Sequence, residues 1–303
     1  MVGTYRTHDA VKKELADDIL NFITNKSATD TPLLSGLDKS SSKASGLFHE
    51  WLTDSFTRPT TTSAQAEGMD VTFADVTGPS RKSNYVQEIV APFKVSFKMQ
   101  NSNMIGMSDA FDYQSTKAME NWGLKAEFSL VYGTGITGSS GVATEMIGLK
   151  KIITTNFVSV TSYSSITAKG LNDALQLSFN SIKERNFELY TGIQIKRGIS
   201  AFTTSATKYI MADEKRGIDV VDVYESDLGK VRLYPHRDLG INQAWSATTL
   251  IINPNAFRVA FQAKPSVQDV AVSGPYKAGY VYGALTLEAL DEKAGVRIDG
   301  YVS

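Results

Sequence analysis

Two periods organise the apolar residues of this chain. From Val11 to Ile23, the residues Val11, Leu15, Ile19, Leu20, Phe22 and Ile23 recur mostly at three- and four-residue steps, which predicts a short amphipathic helix. The same period returns from Ser108 to Tyr132, where Phe111, Ser115, Ala118, Met119, Trp122, Ala126 and Leu130 share one face, and Gln114, Lys117, Asn121, Lys125 and Ser129 lie largely off it. A long helix is expected there, capped by Ser108 or Asp109 and closed by Gly133. Between the two helical stretches the period shortens to two. Val71 and Phe73, then Tyr85, Gln87 and Ile89, then Phe93, Val95, Phe97 and Met99 alternate with their neighbours as strands do.

The connections are as informative as the elements. Pro32 blocks helix continuation, and the polar run from Asp38 to Lys43 follows it, so residues 28–43 read as an extended arm. Thr57 to Gly68 is rich in threonine, serine and alanine and offers no large apolar residue to a core. It reads as a projecting hairpin or loop, with a surface loop of a compact β domain as the alternative. In the second half, Leu171 to Ile182 is expected to be helical. Ile193 to Phe202, Val220 to Tyr224, Val231 to Tyr234, Leu250 to Ile252 and Tyr280 to Leu290 are expected to be strands. Strands and helices do not alternate evenly, which favours an α+β class over a doubly wound sheet. No repeat of roughly 20 to 50 residues is present, which argues against a solenoid or propeller.

Composition narrows the function. With 303 residues, 42% hydrophobic and 21% charged, the chain can bury a core and is not of disordered composition. Its 31 lysines and arginines against 32 acids leave no charge excess to condense on nucleic acid or an anionic membrane. The absence of cysteine removes disulfides, cysteine zinc sites, iron–sulfur clusters and thiol nucleophiles. No window of about 18 apolar residues predicts a membrane helix, and the N-terminus lacks the signature of a secretory signal, so a cytoplasmic chain with no membrane partner is expected.

A search for chemistry returns little. Gly133-Thr134-Gly135-Ile136-Thr137-Gly138 matches a dinucleotide-binding pattern by letter, but a helix precedes it where a strand is required, so it reads as a flexible loop. His49 and His236 have no second ligand at a usable spacing and read as packed or surface imidazoles. Adjacent acids such as Asp17-Asp18, Asp213-Glu214 and Asp291-Glu292 diverge on any regular element, and the basic residues occur as doublets. No catalytic, cofactor-binding or metal residue is assigned. What remains is an arm, a projecting segment, a long helix and an α+β body. Arms and hairpins that cannot bury themselves on their own chain bury themselves on a neighbour, across interfaces of about 2,000–5,000 Å² in obligate assemblies.

Particular residues carry a resemblance. Asp30-Thr31-Pro32-Leu33, Phe48-His49-Glu50-Trp51-Leu52-Thr53-Asp54, Glu67-Gly68-Met69-Asp70, Arg81-Lys82-Ser83-Asn84-Tyr85 and Lys94-Val95-Ser96 follow one another in order. Glu127 with Gly133, Ser226-Asp227-Leu228-Gly229-Lys230-Val231 with Arg237, and Thr286-Leu287-Glu288 with Glu292-Lys293-Ala294 complete the series. Over nearly its whole length the chain resembles the major capsid proteins of tailed bacteriophages, which have the Hong Kong 97-like fold.

The resemblance implies an N-terminal arm at 1–47, an extended E-loop with flanking strands at 48–100, and a peripheral domain with a spine helix at 101–160. It further implies an axial domain at 161–275 and return strands of the peripheral domain at 276–303. It implies a structural, non-enzymatic subunit of the virion, assembled in the host bacterial cytoplasm. Its partners would be itself as homo-hexamers and homo-pentamers of an icosahedral shell, portal and scaffolding or decoration proteins, and packaged double-stranded DNA held without sequence specificity. Some members of the family carry a scaffolding segment ahead of the arm; with about 45 residues before the E-loop here, scaffolding is expected from another protein or not at all, and no local pattern assigns a covalent cross-link. Candidate contacts between subunits are Trp51, Glu67, Gly68, Arg81 and Asn84 around the E-loop, with Leu15 and Ile19 on the arm; packing within the chain is the alternative for each. An encapsulin-like compartment with an enzyme cargo, or a cytoplasmic enzyme with an unrecognised site, are the competing functions.

Overall fold

A computed structural model describes residues 30–40, 43–56, 59–62, 64–70, 73, 78–102, 109–160, 165–182, 185–203, 223–239, 248–271 and 274–300. The expected helix at Val11–Ile23 lies outside them. In chain order the elements are α1 (Pro32–Gly36), β1 (Asp38–Lys39), β2 (Phe48–Thr53), β3 (Ser80–Tyr85), β4 (Gln87–Ser96), α2 (Phe97–Gln100) and α3 (Ala110–Tyr132). After these come β5 (Thr134–Ile136), β6 (Glu145–Ile147), α4 (Leu149–Ile152), β7 (Phe157–Ser159), α5 (Ala168–Phe179), β8 (Asn186–Thr191) and α6 (Ile193–Thr203). The chain ends with β9 (Val223–Ser226), β10 (Gly229–Pro235), β11 (Thr248–Ile252), β12 (Phe257–Val270), β13 (Tyr276–Ala289) and β14 (Val296–Asp299). One sheet has the order β1-β12-β13-β4, a second the order β7-β14-β11-β8-β10-β9, and β2-β3 and β5-β6 form separate ribbons.

The long helix forms where its period places it. Asp109 is its cap: Oδ1 accepts the amides of Phe111 at 2.6 Å and Asp112 at 3.3 Å, and also the Gln100 side-chain amide at 2.8 Å. That side-chain bond, with the Phe111 amide after it, holds the Asp109 carboxyl below its ordinary range. Phe111, Ala118, Trp122, Ala126 and Leu130 are buried, at the steps the pattern gave. Trp122 packs closely against the first sheet because β13 carries Gly283 at the point of contact. Its indole Nε1–H donates to the Ile89 carbonyl at 3.0 Å, and Ile89 is the residue directly paired with Gly283.

Two cores meet across the second sheet. Successive residues of β11 divide between them: Leu250 and Ile252 face the core under α3, and Ile251 faces the core under α5 and α6. Along β8, Phe187 and Leu189 join the second core and Tyr190 joins the first. The first core also takes in Leu33 and Leu37, so the arm segment contributes fully buried residues to the body.

Several local expectations are corrected. Residues 193–202 are helix α6, not a strand. Ile193 and Ile195 mimic strand alternation, but Ile193 is exposed, and Ile195 and Ile199, four apart, are the residues that reach the core. Pro32 begins a helical turn where an extended arm was expected, because proline is well suited to a first helical position whose amide has no intrahelical partner. Residues 133–141 are partly ordered as β5, which pairs with β6. Residues 97–100 turn into α2 after the Ser96 hydroxyl caps the Met99 amide at 3.2 Å. The 14-residue strand β12 went unread. Its outer half is polar and contains Pro265, which sits where the pairing with β13 shifts register between Ala263 and Ser266.

Candidate assembly interface

The β2–β3 ribbon is held firmly at its base. Phe48 pairs with Tyr85 and Thr53 with Ser80, and the Phe48 and Tyr85 rings stand 4.9 Å apart. The Trp51 indole N–H donates to the Ala289 carbonyl at 2.8 Å. Asn84 is buried and its side chain makes four bonds: Nδ2 donates to the carbonyls of Ile147 at 3.0 Å and Leu287 at 2.8 Å, and Oδ1 accepts the amides of Ile147 and Tyr85, both at 2.8 Å. One amide thereby ties the ribbon to β6 and β13. His49 is buried 3.5 Å from Glu288, a carboxylate on β13.

Beyond this base no described residue is buried. Every described residue from 54 to 83 is exposed, including Phe56 at 100%, Phe73 at 91% and Met69 at 59%. Among the described residues none covers these side chains, and apolar surface of this kind is favourable only when it is removed from water. A groove of about 900 Å³ runs along the foot of the ribbon, bordered by Trp51, Phe56, Lys82, Lys151 and Glu292.

The arm segment is fastened to the body at both ends of α1. Glu127, 1% exposed on α3, accepts the Leu33 amide on Oε1 at 2.8 Å and the Leu34 amide on Oε2 at 2.7 Å, satisfying donors that a helix start leaves free. At the other end the Lys39 ammonium donates to the carbonyls of Leu34 and Leu37, and burial pushes its pKa below the ordinary lysine value, against the pull of Glu127 and Asp38. Asp38 and Lys39 then pair parallel to Arg258 and Val259. His236, 3% exposed just past β10, brings Nε2 to 2.9 Å from Glu127 Oε1. The Asp238 amide donates to His236 Nδ1 at 3.2 Å, so the proton between the ring and Glu127 sits on Nε2. Beside it the Tyr132 hydroxyl donates to the Asp238 carbonyl at 2.7 Å; burial, with Asp238 and Asp299 nearby, pushes its pKa up to about 12.

The candidate residues separate accordingly. Leu15 and Ile19 lie outside the described residues. Glu67 and Gly68 form an exposed turn, with Gly68 at φ 76°. Arg81 is exposed and stands 3.5 Å from Glu50. Trp51 is half-buried and Asn84 buried, both bonded within the chain. Phe56 and Phe73 were not singled out, although two isolated aromatics flanking a Thr/Ser/Ala run were a legible sign. The Glu127–His236 pairing had no such sign, since 109 residues separate its members. Among the described residues no three His, Asp or Glu side chains are grouped to hold a metal ion.

Comparison with solved structures places this architecture. The cyanophage A-1(L) capsid subunit superposes with a TM-score of 0.69 at 12% identity, covering 98% of this chain and 100% of that one. The Mycobacterium phage Bobi structure gives 0.66 at 9% identity, over 99% and 100%. The SrpI encapsulin of Synechococcus elongatus gives 0.60 at 14% identity, over 96% and 94%. These likenesses establish the Hong Kong 97-like capsid fold, in its α+β form. A comparison with curated proteins returns no match. The family model described as SU10 major capsid protein matches residues 3–301, so the chain belongs to that family of structural capsid proteins, which build a shell from many copies of one chain.

Proposed function

We propose that this chain assembles as hexamers and pentamers into an icosahedral virion shell enclosing a double-stranded DNA genome, with neighbours joined by the arm and by the segment between β2 and β3. The observation that carries this reading is the contrast along that ribbon: a base whose polar groups are satisfied within the chain, and a tip whose described residues are all exposed, Phe56 and Phe73 among them. In this reading residues 1–47 are the arm, 48–100 the E-loop and its strands, 101–160 the peripheral domain with α3 as spine, 161–275 the axial domain, and 276–303 the returning strands. Glu67, Gly68 and Arg81 lie on the contact surface, with Leu15 and Ile19 on the arm, while Trp51 and Asn84 aim the ribbon. The net charge of −1 lets many copies pack without accumulating repulsion. Portal and scaffolding or decoration proteins are the other partners, and assembly takes place in the host cytoplasm.

The test is electron microscopy with sedimentation of the chain expressed alone and with its neighbouring genes. Closed shells or capsomer rings support the proposal; a monomer in both preparations refutes it. The contents discriminate the encapsulin-like alternative, since that fold-mate implies protein cargo where a virion holds DNA. Deleting residues 60–65 is expected to leave a folded chain that forms no shell, and intact shells from that deletion would remove the segment from the interface.

A further inference from the structure

Glu127 has a feature beyond holding the arm. Its two oxygens serve donors from two different bodies: the Leu33 and Leu34 amides of the arm segment, and the Nε2–H of His236 at the end of the second sheet. Oε1 is shared, at 2.8 Å from Leu33 N and 2.9 Å from His236 Nε2. Both side chains of the pair are 1% exposed, so water cannot replace a donor that leaves. A buried carboxylate deprived of part of its donor set is strongly destabilised, and its environment must rearrange or open.

The seat of His236 is equally committed. Its own amide donates to the Thr191 carbonyl at 2.8 Å, at the end of β8, and its Nδ1 accepts the Asp238 amide. The ring cannot turn from Glu127 without releasing the turn at 236–239, which packs Leu239 into the first core. The geometry points to a mechanical joint: docking of residues 31–37 and seating of the turn at 236–239 are coupled through Glu127, so that release of the arm loosens the end of the second sheet, and the reverse. The joint is a property of the single chain and holds whether or not the chain forms shells. Coupling between two binding events is reciprocal, so each segment must feel the loss of the other by the same factor. The exposed Asp30–Arg237 pair, 3.0 Å apart, also bridges the two segments, but as a solvated ion pair it contributes little and serves as the control.

The experiment is hydrogen–deuterium exchange on the full chain kept unassembled, read over peptides spanning residues 31–39 and 230–239, with amides of β4 and β13 as reference. His236→Ala is expected to accelerate exchange at 31–37 by about tenfold, although His236 bonds to neither Leu33 nor Leu34. Leu34→Pro, which deletes the Oε2 donor, is expected to accelerate exchange at 236–239 by a similar factor. Arg237→Ala is expected to change 31–37 by less than about twofold. If either variant speeds exchange only in its own segment, the coupling is refuted. If Arg237→Ala matches His236→Ala, the link is the surface pair and the role of Glu127 is overturned. If His236→Ala also speeds the reference amides, it has unfolded the chain, and Leu34→Pro decides the question.

Discussion

The contact between Trp122 and Gly283 sets a quantitative test of how α3 is seated. A Cβ added at Gly283 would lie 2.5 Å from Trp122 Cζ2, 2.8 Å from Cε2 and 3.1 Å from Nε1. Ordinary contact begins near 3.4 Å, so the indole must move by nearly 1 Å, yet it is 2% exposed and pinned by its bond to Ile89. Overpacking of this kind costs about 1–3 kcal/mol, and the severity of the overlap argues for the upper end. Against this, replacing glycine in a strand interior gains about 0.5–1 kcal/mol. Gly283→Ala is therefore expected to destabilise by about 2 kcal/mol. Trp122→Phe alone leaves the Ile89 carbonyl without its donor and costs about 2–3 kcal/mol. The double variant supplies the discriminating result, because phenylalanine lacks the fused benzo ring and so has no atom at Cζ2, the closest of the three contacts. Its cost should fall close to that of Trp122→Phe, a favourable coupling of about 2 kcal/mol. The assay is urea unfolding of the unassembled chain at constant slope. A Gly283→Ala chain as stable as the parent, or a double variant equal to the sum of the singles within about 0.5 kcal/mol, would refute the reasoning.

Other expectations follow from the ribbon and its surroundings. Asn84→Ala strands four polar groups of Tyr85, Ile147 and Leu287, and should cost about 3 kcal/mol in urea unfolding and expose residues 48–53 to exchange. Phe56→Ser with Phe73→Ser should leave the unfolding midpoint unchanged, within about 0.5 kcal/mol, and abolish shells in micrographs; a loss of monomer stability instead would place these rings in the chain's own core. Glu292 is pushed up by burial, but bonds from the Thr155 amide and from the Thr154 amide and hydroxyl outweigh this and hold its pKa below 4.5. A depressed carboxylate adds stability that is complete above 4.5 and fades as pH falls through the folded value. Glu292→Gln should therefore flatten the acid limb of the stability curve below pH 4.5 and lower the plateau above it, and an unchanged acid limb would contradict this.

The sequence exposed those parts of the fold that local period controls. Helix α3 was legible because the buried residues Phe111, Ala118, Trp122, Ala126 and Leu130 fall at seven- and four-residue spacings, one helix face, with an aspartate cap at one end and a glycine at the other. Strand β4 was legible because Ile89, Ala91 and Val95 alternate inward. Helix α6 was misread because Ile193 and Ile195 present a two-residue period for its first turn, and only the packing of Ile199 against the second sheet settles the helix. The outer half of strand β12 was illegible because it is stabilised by its partner β13, not by an apolar face of its own. The contacts that fix the arm, from Leu33 to Glu127 and from Asp30 to Arg237, span 94 and 207 residues, and no window of sequence contains both members of either pair.

In the proposed assembly, the division between satisfied polar groups and exposed apolar groups gives the two ends of the ribbon separate tasks. Asn84 and Trp51 place their bonds at the root of the ribbon, where β13 and β6 provide backbone partners, and His49 faces the Glu288 carboxylate of β13 there. Each is a directional bond in a buried setting, so the root fixes an angle as well as a position. Along the ribbon, Leu52 at 64% and Phe48 at 45% exposure already face outward, and further out the burial falls to nothing. Rigid aim at the root and exposed apolar surface at the tip are separate requirements, met by different residues: Phe56 lies five positions after Trp51, and Phe73 eleven before Asn84. Substitutions at the root should therefore act through orientation and stability together, whereas those at the tip should act on association alone. An apolar tip on a flexible root would spend much of its association free energy on ordering itself, and in the proposed assembly the anchoring of Asn84 lowers that cost before a neighbour arrives.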